Sequence, residues 1–223
     1  MLKKILSLCL CLCCLMLFSG PAFAATTEET GNLQAYQSVL DKLNEEYGTT
    51  FHFPTEEELL AVGVTNTIDP RTATVSATEF EKQLRPIAER ISQANAEAER
   101  EWEESSDRAV TGMEGASTKA ASVRIQKQLE QTIEGAVAYF SAYAEDSAGY
   151  WRWTSFTKTY TTIDYDNDEV RFTMDDPDNY SYKYLDAYRT CEVKYTGILY
   201  SNTLVGWIPS DYTQTAEWYA SST

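Results

Sequence analysis

The sequence predicts an α+β fold: a helical N-terminal region followed by an antiparallel β-sandwich, or partly open barrel, of about 7–8 strands. Three observations carry this expectation. Apolar residues recur at steps of three and four up to residue 103. After residue 120 they fall into short segments rich in Tyr, Trp, Thr and Val. Clusters of Asp, Asn, Gly and Pro punctuate those segments at the spacing expected of turns. The boundaries read as a leader over 1–24, a helical region over 25–103, a linker over 104–119 and a β-sandwich domain over 120–223.

The leader has the parts of a secretory signal. Lys3 and Lys4 precede an apolar run from Ile5 to Phe18, and Ala22-Phe23-Ala24 supplies a small-x-small cleavage site. The run is shorter than the roughly 20 residues a spanning helix needs, and Gly20 and Pro21 end it. The expectation is a secreted, extracellular protein that begins at Ala25 and keeps no membrane anchor after cleavage. Cys9, Cys11, Cys13 and Cys14 leave with the leader, so Cys191 is the one thiol of the mature chain and no intramolecular disulfide forms.

In the helical region, Leu33, Tyr36, Leu40, Leu43 and Tyr47 share one helix face, and Gly48 follows as a C-terminal stop. Thr55 and Glu58 form a capping box for a short helix around Glu56 to Ala61, ended by Gly63. Ser76 and Glu79 open a third helix, whose stripe runs Phe80, Leu84, Ile87, Ile91, Ala94, Ala98, Trp102. Pro86 lies inside that stripe and predicts a kink or break near Leu84-Arg85. The segment 104–119 has no apolar period and contains Gly112 and Gly115, hence the linker.

The β region opens with alternation. Val123, Ile125, Leu129 and Ile133 fall on one parity, and Val137, Tyr139 and Tyr143 continue it beyond Gly135, so two strands joined at Glu134-Gly135 are expected; the alternative is a helix through Ile125, Leu129, Ile133 and Val137, which Gly135 would interrupt. Further strands are read at Tyr150–Ile163, Glu169–Met174, Tyr180–Tyr184, Arg189–Tyr200, Thr203–Ile208 and Thr213–Ser221, separated by turns that include Ser201-Asn202 and Pro209–Asp211.

Charge narrows the function. The 223 residues hold 18 basic against 34 acidic side chains, a formal charge of -16, which opposes nucleic acid and anionic lipid because both need a basic footprint. With a single histidine, His52, and no G-x-S-x-G, phosphate-loop, dinucleotide or H-E-x-x-H pattern, no catalytic residues stand out. A Cys191–His52 nucleophile pair is formally available, but Cys191 reads as a packed residue in mid-strand. The expected function is a non-catalytic module that recognises an extracellular glycan or protein; the alternative is a secreted, glycosidase-like hydrolase using paired carboxylates.

Two groups are the candidate sites. Tyr180, Tyr182 and Tyr184 line one face of a strand, and Trp151 and Trp153 crowd another, offering flat surfaces for sugar rings or a protein partner. Asp164, Asp166 and Asp168, with Asp175 at the twelfth position, have the oxygen spacing of a weak Ca²⁺ loop, although Glu169 stands where such a loop needs glycine. No other cofactor is expected.

Overall fold

The computed structural model describes residues 20–109, 125–147, 149–174 and 180–221. It is α+β: helices α1 (Gly20–Tyr47), α2 (Glu56–Ala61) and α3 (Ala77–Glu104), a 3-10 turn (Ser105–Arg108), then strands β1 (Ile125–Ile133), β2 (Ala136–Ser147), β3 (Tyr150–Ile163), β4 (Val170–Met174), β5 (Tyr180–Leu185), β6 (Thr190–Thr203) and β7 (Gly206–Tyr219). All pairings are antiparallel. Most of the expected linker lies outside the described residues; Glu104 ends α3 and the residues after it form the 3-10 turn.

Local signals fix the helix ends. Gly48 adopts φ +67° and its N–H donates to Asn44 C=O at 2.9 Å, closing α1 with a left-handed cap. Thr55 and Glu58 make the reciprocal capping box of α2. Ser76 Oγ accepts the Glu79 N–H at 3.2 Å at the start of α3. Tyr36, Leu40 and Leu43 of α1 are buried together with Phe80, Leu84, Ala88 and Ile91 of α3, and Tyr36 meets Phe80 edge-to-face at 5.4 Å. α3 stays helical through Pro86, so the expected interruption at Leu84-Arg85 is not a break. Proline forfeits one N–H, to Lys82 C=O, and the buried stripe on both sides of it holds the helix against the core.

One sheet has the order β1-β2-β3. In the other, β6 is the centre: β7 pairs along its whole length on one side, while β4 and β5 follow each other along the opposite side. Neither sheet closes on itself among the described residues. Phe140 of β2 stacks on Trp218 of β7 at 5.3 Å, Trp153 Nε1–H donates to Trp218 C=O at 2.9 Å, and Thr159 Oγ1 bonds Tyr195 OH at 2.7 Å, so both sheets contribute to one core with the helices.

Two details depart from the sequence expectation. The two-residue turn Glu134-Gly135 pairs Ile133 with Ala136, so odd positions of β1 oppose even positions of β2. The inward face of β2 is therefore Ala136, Ala138, Phe140, Ala142 and Ala144, all fully buried, and Val137, Tyr139 and Tyr143 point the other way. Gly135 is required at the turn: φ is +71°, and a Cβ would lie 2.7 Å from Arg171 Cα. Last, the β6–β7 hairpin turns at Leu204-Val205; Ser201-Asn202 and Pro209–Asp211 lie within strands. Pro209 is tolerated because β7 is an edge strand. Its outer edge is covered: Thr213 N–H donates to Asn95 Oδ1 at 2.7 Å, Asn95 Nδ2–H to Asp211 C=O at 3.3 Å, and Asp211 N–H to Thr50 Oγ1 at 2.8 Å.

Candidate functional site

β3 and β5 are edge strands, and an aromatic rim joins them. Tyr180, Tyr182 and Tyr184 pair with Tyr195, Val193 and Cys191 of β6, which places all three on the face of the second sheet that looks toward the first. Phe156 of β3 stacks on Tyr182 with ring centroids 4.2 Å apart and planes 12° from parallel, and lies 5.6 Å from Tyr180. Tyr182 meets Tyr184 edge-on at 5.9 Å, and Tyr184 meets Tyr188 at 5.4 Å. The three tyrosines differ in exposure: Tyr182 is 44% exposed, Tyr180 half-buried and Tyr184 only 9% exposed. Tyr150, at the start of β3, is also exposed, with the Arg189 guanidinium 5.4 Å from its ring centre.

Not every residue read as a ligand contact can be one. Trp153 is 1% exposed and wedged between Phe140 and the Trp218 carbonyl, and Tyr184 is core, because both lie behind the rim rather than on it. Trp151 is half-buried under Lys127, whose Nζ sits 5.1 Å from its ring centre. Phe156 was not singled out by the sequence pattern. Two register shifts opposite Ser141–Ala144 turn it inward: Ala144 faces Trp153, Ala142 faces Phe156 and Phe140 faces Thr159, three residues apart at each step instead of two. Simple alternation from Trp153 would have put Ser155 there.

The acidic turn between β3 and β4 is held by its own side chains. Asp164 Oδ1 accepts the Asp166 N–H, and Asn167 Oδ1 accepts the N–H groups of Glu169 and Val170 at 3.0 and 2.9 Å, as Asx turns do. Asn202 Nδ2–H ties the turn to β6 through Asp168 C=O at 3.0 Å. Among the described residues no three acids, histidines or cysteines gather at metal-binding distances; Asp175 lies outside the described residues.

A polar cleft of about 660 Å³ lies between the end of α3 and the outer face of β6 and β7, with Glu101, Glu104, Arg108, Gln131, Glu192 and Glu217 among its walls. The strand register sets Lys183, Glu192 and Glu217 in one row across β5, β6 and β7. Glu192 is 2% exposed and satisfied: it accepts the Ser105 hydroxyl and lies 3.2 Å from Lys183 Nζ. Lys183 also donates to the Trp102 carbonyl and to Ser106 Oγ, and lies 3.9 Å over the Trp102 ring. A cation at the last carbonyls of α3 complements the helix end, so this group fastens the helix to the sheet. Arg108 spans Asp186, at 3.1 and 2.5 Å, and Glu217, at 3.6 Å. The guanidinium beside Asp186 holds its carboxyl below the usual range, and the carboxylate raises Arg108 in turn.

No family model, curated protein or solved structure matches this chain. Its chemistry is read from its own side chains alone.

Those side chains give no cysteine nucleophile. Cys191 is fully buried in the core, and burial pushes its thiol far above the ordinary range, away from the reactive thiolate. His52 is on the surface, its ring nitrogens 3.1 Å from Thr50 C=O and 3.1 Å from Glu58 Oε1 at the start of α2. The buried phenol of Tyr195 is pushed up to about 12, chiefly by desolvation, and serves the core as a hydrogen-bonding partner of Thr159.

Proposed function

We propose that the protein is an exported, non-catalytic recognition module whose two sheets form a sandwich and whose β3–β5 rim binds a glycan. The observation that supports this reading is Tyr182: its ring is 44% exposed yet held flat by Phe156 and edge-on by Tyr184. A planar ring fixed before binding can stack on a sugar face with little further loss of rotamer freedom. Export draws on the leader-like sequence over 1–24. Cleavage after Ala24 would shorten α1, which starts at Gly20, but would leave in place Tyr36, Leu40 and Leu43, which that helix buries against α3. Among the described residues no helix is long and apolar enough to cross a membrane.

The test is a glycan array probed with the purified protein and with Tyr182→Ala, using Tyr165→Ala as a control at an exposed tyrosine elsewhere. Binding that survives Tyr165→Ala and disappears in Tyr182→Ala supports the rim. Binding unchanged by Tyr182→Ala, or capture of a protein from culture medium without any glycan hit, contradicts it.

A hydrolase is the second reading, favoured by one feature: Glu192 and Glu217 face each other across β6 and β7 in the cleft. Directly opposed residues have Cβ atoms about 4.5–5.5 Å apart, within reach of the carboxylate spacings that glycosidases use. Against it, Glu192 is sealed by Ser105 and Lys183, and Glu217 accepts the Tyr219 hydroxyl at 2.5 Å. Glycoside cleavage abolished by Glu217→Gln would establish this reading over the binding one.

A further inference from the structure

The β5–β6 turn has an unusual backbone. Asp186, Ala187 and Tyr188 all adopt the left-handed conformation, with φ of 54°, 55° and 70°. None is glycine, and left-handed geometry disfavours any L-residue with a Cβ, an aromatic residue more than Asp. Such a run persists only where its surroundings over-determine it. The surroundings are specific. Arg108, from the 3-10 turn after α3, holds the Asp186 carboxylate through Nε and Nη2 at 3.1 and 2.5 Å. Thr190 Oγ1–H donates to the same carboxylate at 3.2 Å, and Trp153 N–H donates to Tyr188 C=O at 2.8 Å. The third residue of the run, Tyr188, contacts Tyr184, which contacts Tyr182.

From this chain of contacts we infer that Arg108 is a positioning residue for the aromatic rim: by clamping Asp186 it keeps the turn left-handed, and the turn sets Tyr188, Tyr184 and through them the exposed ring of Tyr182. Arg108 is in the polar cleft, on the other face of the sheet from the rim, so it acts on Tyr182 through the turn and not by touching what the rim binds. Loss of the clamp lets the turn relax toward ordinary backbone angles, and the ladder of rings moves with it. This inference rests on the rim being the binding surface only for its effect on affinity; its effect on the rings stands without any ligand.

The variants are Arg108→Gln, Arg108→Lys, and Arg108→Gln combined with Ala187→Gly. Glycine at 187 accepts the left-handed conformation without a clamp and should restore the turn. The first readout needs no ligand: proton NMR shifts of the Tyr182, Tyr184 and Tyr188 rings in the full chain, beside the melting temperature. The second is affinity for the oligosaccharide that scores highest on the array. Arg108→Gln should shift all three rings and weaken binding by about tenfold, the population change expected when one left-handed residue is released. Arg108→Lys, which keeps the charge but not the two-pronged contact, should be intermediate. The added glycine should return the ring shifts and the affinity to near the original values. Unchanged ring shifts in Arg108→Gln overturn the proposal, as do changes that Ala187→Gly does not reverse. Absence of any oligosaccharide binding by the unaltered protein counts against the rim as a glycan site, while the ring shifts still decide the positioning role.

Discussion

Glu192→Ala removes one half of a buried ion pair whose side chains are only 12% (Lys183) and 3% (Glu192) exposed. Deleting one partner of such a pair leaves the other charge unpaired in a poorly solvated place, at a cost of about 3–5 kcal/mol. The lower end applies here, because Lys183 keeps the Trp102 carbonyl, Ser106 Oγ and the face of the Trp102 ring. Ser105, whose hydroxyl donates to Glu192, is left with the Trp102 carbonyl at 3.3 Å as its acceptor. A loss of about 3 kcal/mol in a chain of this size lowers the melting temperature by about 6–12 °C. Glu192→Gln should fall between, since an amide can still accept from Ser105. The double variant Glu192→Met, Lys183→Met removes both charges and should recover to within about 1 kcal/mol of the original protein. Chemical denaturation and thermal melting measure all three. A loss under about 1 kcal/mol in Glu192→Ala, or a double variant worse than the single, would refute the role of this pair in fastening α3 to the sheet.

Three further outcomes follow from the same contacts. Pro86→Ala restores an N–H inside α3 with no buried contact disturbed, and should raise stability by about 2 kcal/mol, read as a higher denaturation midpoint. Cys191 should resist a thiol reagent in the native protein and react at once in denaturant, and Cys191→Ala should cost about 1 kcal/mol or more through the space it leaves. Asp186 is depressed by Arg108, so its contribution is present above the unfolded carboxyl value near 3.9 and is lost as pH falls through the lower folded value. Acid titration of stability should therefore be shallower below about pH 4 in Asp186→Asn than in the original protein, by a modest amount because the pair is partly exposed.

How far the sequence discloses this fold depends on the range of the forces involved. Helix ends were legible because capping is settled within four residues: Thr55 with Glu58, Ser76 with Glu79 and Gly48 each act on their own backbone. The end of β3 and the start of β4 were legible for a similar reason, since the turn between them carries its own Asx chemistry at Asp164 and Asn167. The β6–β7 turn was not. Asn202 and Pro209 have strong local turn preferences, yet pairing along the whole of β6 overrides both and leaves the turn at Leu204-Val205. The rim was half legible. Tyr180, Tyr182 and Tyr184 share a face as their spacing requires, but which of them meets solvent depends on β3, and the bulges that aim Phe156 at Tyr182 leave no mark in an alternating pattern. The Lys183–Glu192–Glu217 row was invisible, because a register across three strands joins residues whose numbers say nothing of their adjacency.

The most direct measurement of the rim's role is a proton NMR titration of the full chain with an oligosaccharide selected on the array, following the ring resonances of Tyr182 and Phe156 beside the side chains of Gln131 and Thr215 in the cleft. Binding at the rim predicts saturable shifts of the two stacked rings, none in the cleft, and loss of all shifts in Tyr182→Ala. Saturable shifts of Gln131 and Thr215 with Tyr182 and Phe156 unmoved would contradict it and place the ligand among the carboxylates instead.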